Sequence, residues 1–252
     1  MKTRSIWIAA ILLLPTPIVA QDPAVITMDQ EPHHHLALHN DEVKVFAVQV
    51  APGDSIVLHR HDQDTIAIAI GEQKVTVGIP GKADVHQVNA DAQVRLQRSG
   101  YIHSTRVDGD TPYHTVAVEL MRPQTNFHNL CVAVLPSEPL NCLPPPARTA
   151  PLYTTQPLLK SDQTQARLVS LLPRQSLDLS MNLEDAHASP DCPQLIVALD
   201  YASIAGSGNG GEKILQPGDF MWLEGGHGPA RIFQNTGPKE ARLIDIIFLH
   251  AR

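Results

Sequence analysis

The sequence predicts an all-β protein built as an antiparallel sandwich or barrel. Short segments that alternate apolar and polar residues recur along the chain, and a period of two is typical of half-buried strands. Turn signals rich in Gly, Pro and Asp separate these segments, namely Pro52-Gly53-Asp54, Pro80-Gly81, Asp108-Gly109-Asp110 and Gln216-Pro217-Gly218-Asp219. No segment shows a sustained helical period with capping residues, so many short strands at regular spacing are expected.

Residues 1–20 are a predicted signal peptide. Lys2 and Arg4 precede an apolar run of nine residues, Ile6 to Leu14, and a Pro-broken stretch then ends at Ala20. Nine apolar residues cannot cross a hydrocarbon layer of about 30 Å, whereas they match the apolar region of a secretory leader. We therefore expect a secreted or periplasmic protein with no membrane attachment in its mature form.

The composition disfavours nucleic acid as a partner. The chain carries 26 Asp and Glu against 19 Lys and Arg, for a formal net charge of −7, and only 4% of its residues are aromatic. Nucleic acids and anionic membranes are bound mainly by basic patches, and unpaired bases by aromatic stacking. Small molecules or neutral polymers are the expected partners, and a small-molecule ligand is the one we adopt.

A proline-rich stretch divides the chain into two parts. Residues 136–157 are dense in Pro and show no periodicity, and Pro removes ladder donors and fixes the backbone φ angle. We interpret this stretch as a linker between an amino-terminal domain, residues 21–135, and a carboxyl-terminal domain, residues 158–252. Each part is about a hundred residues long, which is a common domain size.

The two parts also align with each other as an internal repeat. Residues 172–182 parallel residues 51–61, and residues 231–237 parallel residues 103–109. A repeat of this length indicates that one structural unit occurs twice. Two similar barrels in tandem are therefore expected.

Three histidines in the first part form a candidate metal site. His59 and His61 end an alternating segment, so on a strand both imidazoles project from one face. A later strand could bring His103 across from them. Three neutral nitrogen donors that meet at one point are a usual way to hold a divalent transition metal.

The residues around these histidines resemble the first motif of the cupin superfamily. That motif reads Gly, five residues, His-x-His, three or four residues, Glu, six residues, Gly. Here Gly53 precedes His59-Arg60-His61 by five residues, and Gly71 closes the motif. Counting back from Gly71 places Asp64 where the family has its glutamate, so the resemblance implies Asp64 as a fourth ligand or, if it stands off the metal, as a general base.

The second cupin motif is matched in part. It reads Gly, five residues, Pro-x-Gly, two residues, His, three residues, Asn, and these positions fall on Ala92, Arg98, Gly100, His103 and Val107. The second Gly and the His are kept, whereas the first Gly, the Pro and the Asn are replaced. The resemblance thereby implies His103 as the third histidine ligand.

The resemblance implies two jelly-roll barrels, an Fe, Mn, Ni, Cu or Zn ion in the first barrel, and oxygenase or isomerase chemistry on a small organic molecule. In the second barrel the ligand positions have become Ser180, Asn182 and Arg231, and no metal is expected there because an arginine stays protonated. A non-catalytic bicupin that binds a small ligand or has a structural role is the alternative. Jelly rolls often pair through exposed strand edges, so the sequence leaves a homodimer as an alternative to a monomer.

The remaining histidines and the cysteines lead to two further expectations. The tract His33-His34-His35 with His39 lacks a suitably spaced carboxylate or thiol, which favours an exposed edge strand or arm over a metal site. Cys131 and Cys142 could form a disulfide that closes a small loop in an oxidising compartment, with Cys192 left over. The alternative is three unpaired thiols, which a thiol count under denaturing conditions would reveal.

Overall fold

The computed structural model describes residues 25–130, 132–135, 148–149, 152–179, 191–206, 212–225 and 231–249. Within these ranges the chain consists of strands, turns and one short 3-10 helix, Met28–Gln30. None of the helical structure in the described ranges is long and apolar enough to cross a membrane. The predicted signal peptide and both cysteines of the candidate disulfide, Cys131 and Cys142, lie outside the described residues.

The strands follow the alternating segments of the sequence. Those of the first half are β1 (Ile26–Thr27), β2 (His34–His39), β3 (Val43–Val50), β4 (Ser55–Arg60), β5 (Thr65–Ala69), β6 (Gln73–Gly78), β7 (Val85–Asn89), β8 (Val94–Gln97), β9 (Ile102–Val107), β10 (Tyr113–Leu120), β11 (His128–Asn129) and β12 (Ala133–Leu135). Those of the second half are β13 (Arg148–Thr149), β14 (Tyr153–Lys160), β15 (Thr164–Leu171), β16 (Ser176–Asp178), β17 (Gln194–Ala198), β18 (Ala202–Gly206), β19 (Glu212–Leu215), β20 (Phe220–Leu223), β21 (Arg231–Gln234) and β22 (Ala241–Phe248).

Each half consists of two sheets. The first half pairs a five-stranded sheet, in the order β1-β4-β9-β6-β7, with a six-stranded sheet, in the order β12-β8-β5-β10-β3-β2. In the second half the corresponding orders are β16-β21-β18-β19 and β11-β14-β15-β22-β17-β20, and β13 adds to β14. Strand β11 belongs to the first half of the sequence but pairs with β14 of the second.

The pairing register repeats between the halves. Ser55 of β4 lies opposite Arg106 of β9, and Ser176 of β16 lies opposite Gln234 of β21. These are equivalent positions in the predicted internal repeat, and the sheet orders match in the same way. The structure therefore confirms the predicted fold class, two jelly-roll barrels in tandem.

One apolar cluster joins the two barrels. In β10, Val116 and Val118 belong to this cluster, whereas Thr115 and Ala117 face the interior of the first barrel. Both faces of the six-stranded sheet are thus covered, which is why all five residues of β5 are buried. The buried members of the cluster are Val43, Val45, Ile66, Ile68, Ile70, Val94, Leu96, Val116, Val118, Leu120 and Val132 of the first half, with Leu159, Ala166, Leu195, Val197, Leu199, Ile244, Ile246 and Phe248 of the second.

The second half begins to pair within the stretch predicted as a linker. Strand β14 starts at Tyr153 and pairs with β15. Pro157 is accommodated because the register shifts between Pro157 and Leu159, and a bulge does not need the missing N–H. Most of residues 136–152 lies outside the described ranges, so the boundaries of the linker and domains stay a prediction.

The glycine missing from the second cupin motif leaves a strained turn. Ala92 has a φ of 63°, and Gly218, which precedes β20 as Ala92 precedes β8, has a φ of 89°. A left-handed backbone costs a residue other than glycine about 1 to 2 kcal/mol. Ala92 therefore keeps the backbone shape of the motif at an energetic cost.

Candidate metal centre

The structure brings His59, His61 and His103 together inside the first barrel. The three residues are buried, with 0%, 2% and 6% of their surface exposed. One ring nitrogen of each lies within 4.8 Å of the others, and Nε2 of His61 is 3.0 Å from Nε2 of His103. Among the described residues, no other three His, Cys, Asp or Glu side chains meet in this way.

Strand pairing explains how distant residues reach one point. His59 on β4 lies directly opposite His103 on β9, after a register shift between Ile56 and His59. Such bulges re-aim side chains, and they are common beside functional sites. His61 continues the ladder beyond β4, because its N–H donates to the carbonyl of Tyr101 at 3.0 Å. The two imidazoles thus share a face, as their spacing predicts.

Hydrogen bonds fix the ring nitrogen that faces the centre. Nδ1 of His59 lies 2.9 Å from the carbonyl oxygen of Val57, which can only accept, so this nitrogen carries the proton. Nδ1 of His61 lies 3.1 Å from the hydroxyl of Thr65, which itself donates to the carbonyl of Gln63. The hydroxyl therefore accepts from His61. In both rings Nε2 is left unprotonated, as metal ligation requires.

Burial keeps the three imidazoles neutral. Removal from water lowers the pKa of His59 to about 4, and the charge of His34 adds to this effect. Burial, followed by the neighbouring histidines, also holds the pKa values of His61 and His103 well below the usual value. Neutral imidazole is the form that binds metals, so the centre is in its ligating state at neutral pH.

The donor set fits a divalent transition metal. Two nitrogens that are each about 2.1 Å from one ion and about 90° apart lie about 3 Å from each other, and Nε2 of His61 and Nε2 of His103 have this separation. Nε2 of His59 is buried with no hydrogen-bond partner among the described residues. Leaving such an atom unsatisfied costs about 1 to 3 kcal/mol. A cation at this point would satisfy Nε2 of His59.

Asp64 does not join this cluster, so the expectation of a fourth ligand at this position is corrected. Its Oδ1 accepts the backbone N–H of Ser99 at 2.9 Å, and its Oδ2 lies 3.3 Å from Nη1 of Arg98. Strand alternation is the physical reason: Thr65 points inward to His61, so the residue before it points the other way. Asp64 anchors the turn before β9 instead.

A fourth histidine, expected on an exposed arm, lies beside the centre. Strand β2 is an edge strand, as expected, but its alternation turns His34 inward, and only 5% of the His34 side chain is exposed. The ring centroids of His34 and His59 are 4.9 Å apart. Alternation within the tract was the signal that could have found this residue, because His35, one position later, is exposed.

Glu31 ties this arm to the centre. Its Oε2 accepts hydrogen bonds from Nδ1 of His34 at 2.7 Å and from the backbone N–H of His33 at 2.8 Å, and its Oε1 accepts the N–H of Val57 at 3.2 Å. Burial alone would raise the pKa of the Glu31 carboxyl, but these hydrogen bonds and the charge of His34 lower it. An ionised Glu31 therefore holds both His34 and the segment whose carbonyl orients His59.

Two narrow cavities flank the three histidines. One is lined in part by Arg95, Tyr101 and His103, and the other in part by His34, His59 and His61. Each has a volume of ≈ 10 Å³, which is close to the space that one water molecule occupies. Without side-chain rearrangement, only a small ligand can reach the centre.

The second barrel contains a buried ion pair in its interior. Nε and Nη2 of Arg167 donate to Oδ2 of Asp245 at 2.9 and 2.7 Å. By the repeat, these residues take the positions of Phe46 and Ala117, which pair across β3 and β10. The residues at the former ligand positions, Ser180, Asn182 and the side chain of Arg231, lie outside the described part of the chain, so the expected lack of metal there stays a prediction.

The architecture of this chain is similar to that of several solved structures, although its sequence matches no described family. No family description matches the sequence, and no curated protein does. The structure is similar to AerE from Microcystis aeruginosa, with a TM-score of 0.55 and 14% identity over 87% of this chain and 99% of that one. It is also similar to a mutant of salicylate 1,2-dioxygenase from Pseudoaminobacter salicylatoxidans in complex with gentisate, with a TM-score of 0.54 and 11% identity over 82% of this chain and 69% of that one.

A third similar structure is an oxalate decarboxylase, with a TM-score of 0.51 and 12% identity over 94% of this chain and 81% of that one. At such identities, the similarity establishes the fold and not the activity. The three structures are cupin-fold proteins, and the glycine and histidine spacing of the first barrel agrees with that fold. The chain therefore has the cupin fold, with two barrels in tandem.

Proposed function

We propose that this protein is an exported cupin that binds a divalent transition metal in its first barrel and acts on a small organic molecule by oxygenase or isomerase chemistry. The observation that carries the proposal is the convergence of three buried, neutral imidazoles at one point. A salicylate dioxygenase and an oxalate decarboxylase have similar structures, and this supports an enzyme with a small-molecule substrate.

The residues of the chain divide the work of such a centre. When bound, the metal would supply Lewis-acid or redox chemistry at the coordination positions that three ligands leave open. The carbonyl of Val57 and the hydroxyl of Thr65 hold their histidines in the ligating tautomer. Tyr101 stacks on His103 with ring centroids 4.7 Å apart and helps to exclude bulk water from the barrel interior.

His59→Ala and His103→Ala should each abolish stoichiometric metal binding. Each variant removes one of three donors, and we expect affinity to fall more than about 100-fold, since even partners that only orient a ligand contribute 10- to 100-fold. The measurement is elemental analysis of protein purified without a chelating column and then reconstituted with each of the five candidate metals.

Matched controls come from the exposed histidines of β2. His35→Ala and His39→Ala remove the same side chain from the same barrel, and both should retain the metal. Loss of metal in these variants with retention in His59→Ala would move the site to the arm. A parent protein that takes up none of the metals would refute the metal centre altogether.

A non-catalytic bicupin is the second candidate. It is favoured by Asp64, whose carboxylate is held by Arg98 and Ser99, and by the ion pair inside the second barrel. For this candidate we expect small-ligand affinity that survives removal of the metal and no turnover in a broad oxidation screen. An enzyme should instead lose turnover with the metal and in His59→Ala.

Export is part of the proposal and rests on the layout of residues 1–20. We expect the mature protein in the periplasm or medium to begin near Gln21, which an intact-mass measurement checks. Exported protein that keeps residues 1–20, or protein found only in the cytoplasm, would contradict the signal peptide. The compartment bears on the Cys131–Cys142 bridge, which stays a prediction.

A further inference from the structure

Arg95 places a permanent positive charge inside the first barrel, beside the histidine centre. It lies on β8 between Val94 and Leu96, which belong to the apolar cluster between the barrels, so alternation turns Arg95 inward. Only 5% of Arg95 is exposed, and it lines the same cavity as His103 and Tyr101. This guanidinium therefore faces the space next to the metal position.

No carboxylate of the described residues compensates this charge. Nη1 of Arg95 donates to Oδ1 of the neutral side chain of Asn89 at 3.0 Å, while its buried Nε has no hydrogen-bond partner. Six other arginines each form an ion pair: Arg60 with Asp62, Arg98 with Asp64, Arg106 with Asp108, Arg122 with Glu42, Arg167 with Asp245, and Arg242 with Asp91 and Asp200. Arg167, which is buried to a similar extent, has a carboxylate; Arg95 does not.

Arg95 gives the centre a positive charge that is not paired with any described carboxylate. An arginine does not lose its proton in a protein, and a buried charge without a counter-ion is unfavourable. A metal held by three neutral imidazoles would add two more positive charges beside it. The described part of the barrel has three buried carboxyl groups: Glu31 and Asp64 are engaged with His34 and Arg98, and Glu119 lies opposite Lys44 across β10 and β3. None of these described carboxylates pairs with Arg95, so a bound anion would supply its missing counter-ion.

The lining of the cavity suits a small anion with a polar group. Gln97, Tyr101 and Tyr113 add neutral amide and phenol groups around Arg95. The cavity volume of ≈ 10 Å³ holds about one water molecule, so a carboxylate enters only if lining side chains rotate. A guanidinium binds a carboxylate through two parallel hydrogen bonds, which its unpartnered Nε allows.

We propose that the ligand of this centre is a small carboxylate whose anionic group is bound by Arg95 on the His103 side of the three histidines. This inference rests on the proposed function, because the metal position defines where the rest of the molecule lies. Arg95 would set specificity for an acid over a neutral molecule of the same shape.

Acetate and its neutral isostere acetamide test this preference. Calorimetric titration of the Zn²⁺-loaded parent, which is redox-inert, should show binding of acetate at least about 10-fold tighter than that of acetamide. Arg95→Gln should lose most of this preference, since a charge-assisted pair is worth roughly 10- to 100-fold in affinity, and Arg95→Lys should retain part of it. Arg106→Gln, an exposed arginine of the same barrel, is the matched control and should behave as the parent.

The two proposals fail in different ways. Equal metal content in the parent and in Arg95→Gln, with equal affinity for acetate, overturns the carboxylate site and leaves the metal centre standing. A parent that holds no metal overturns the proposed function, and the metal-free titrations then decide the carboxylate site by the same Arg95-dependent preference. If Arg95→Gln does not fold, the metal-free parent decides, because no Zn²⁺ then favours acetate, and equal binding of acetate and acetamide overturns the proposal.

Discussion

Asp245→Ala should lower the free energy of unfolding by about 3 to 5 kcal/mol, the usual cost of breaking a buried ion pair. The variant leaves Arg167 protonated inside the second barrel, where only 7% of that residue is exposed and Asp245 is fully buried. Two hydrogen bonds from the guanidinium to Oδ2 are lost together. Urea unfolding of the metal-free protein measures the loss.

Replacing both partners should recover most of this stability. Arg167→Met combined with Asp245→Leu exchanges the ion pair for apolar side chains of similar volume, a change that is often neutral or stabilising. The exposed pair of Arg60 and Asp62 supplies the control, because Asp62→Ala should cost less than about 1 kcal/mol. A double variant as unstable as Asp245→Ala would show that packing, and not the loss of the ion pair, carries the effect.

Between pH 5 and pH 8 the free energy of unfolding of the parent should fall by about 2 to 3 kcal/mol more than that of Glu119→Gln. Burial raises the pKa of Glu119 to about 7, partly opposed by the charge of Lys44, and only 3% of the residue is exposed. Between the usual glutamate pKa of 4.5 and the raised pKa of about 7, the folded chain retains a proton that the unfolded chain has released. Stability therefore falls as the pH rises through this window, and levels off above it.

Urea unfolding at pH 5 and pH 8 gives the difference for each protein. Other titrating groups contribute equally to the parent and the variant, so the double difference isolates Glu119. Glu72→Gln, an exposed position before β6, should follow the parent at both pH values. The same pH dependence in the parent and in Glu119→Gln would mean that Glu119 titrates normally in the folded protein.

The fold and the histidine cluster could be predicted because they depend on local regularities. The spacing of His59 and His61 puts both rings on one face of any strand, and the motif around His103 indicates where the third ring belongs. The tandem repeat was visible from aligned segments, and the registers of β4 with β9 and of β16 with β21 confirm it.

The predictions that failed depend on register, which the sequence constrains weakly. Asp64 and Thr65 are adjacent, so a shift of one residue decides which of them faces the metal position. His34 was assigned to an exposed arm because its tract lacks a spaced carboxylate, yet Glu31, directly after the short 3-10 helix, accepts a hydrogen bond from it. The sequence also could not predict the positive charge of the cavity, because only the folded barrel shows that Arg95 forms no ion pair with a described carboxylate.

The apolar cluster shared by the two barrels has a consequence for how mutations act. Without the second barrel, the first barrel would expose a large apolar sheet face to water, and such surfaces promote aggregation. The second barrel thus covers the outer face of this sheet of the first barrel, whether or not it has a chemical role of its own. A destabilising substitution in the core of the second barrel would then lower the abundance of the protein in cells, although the three histidines of the centre are unchanged.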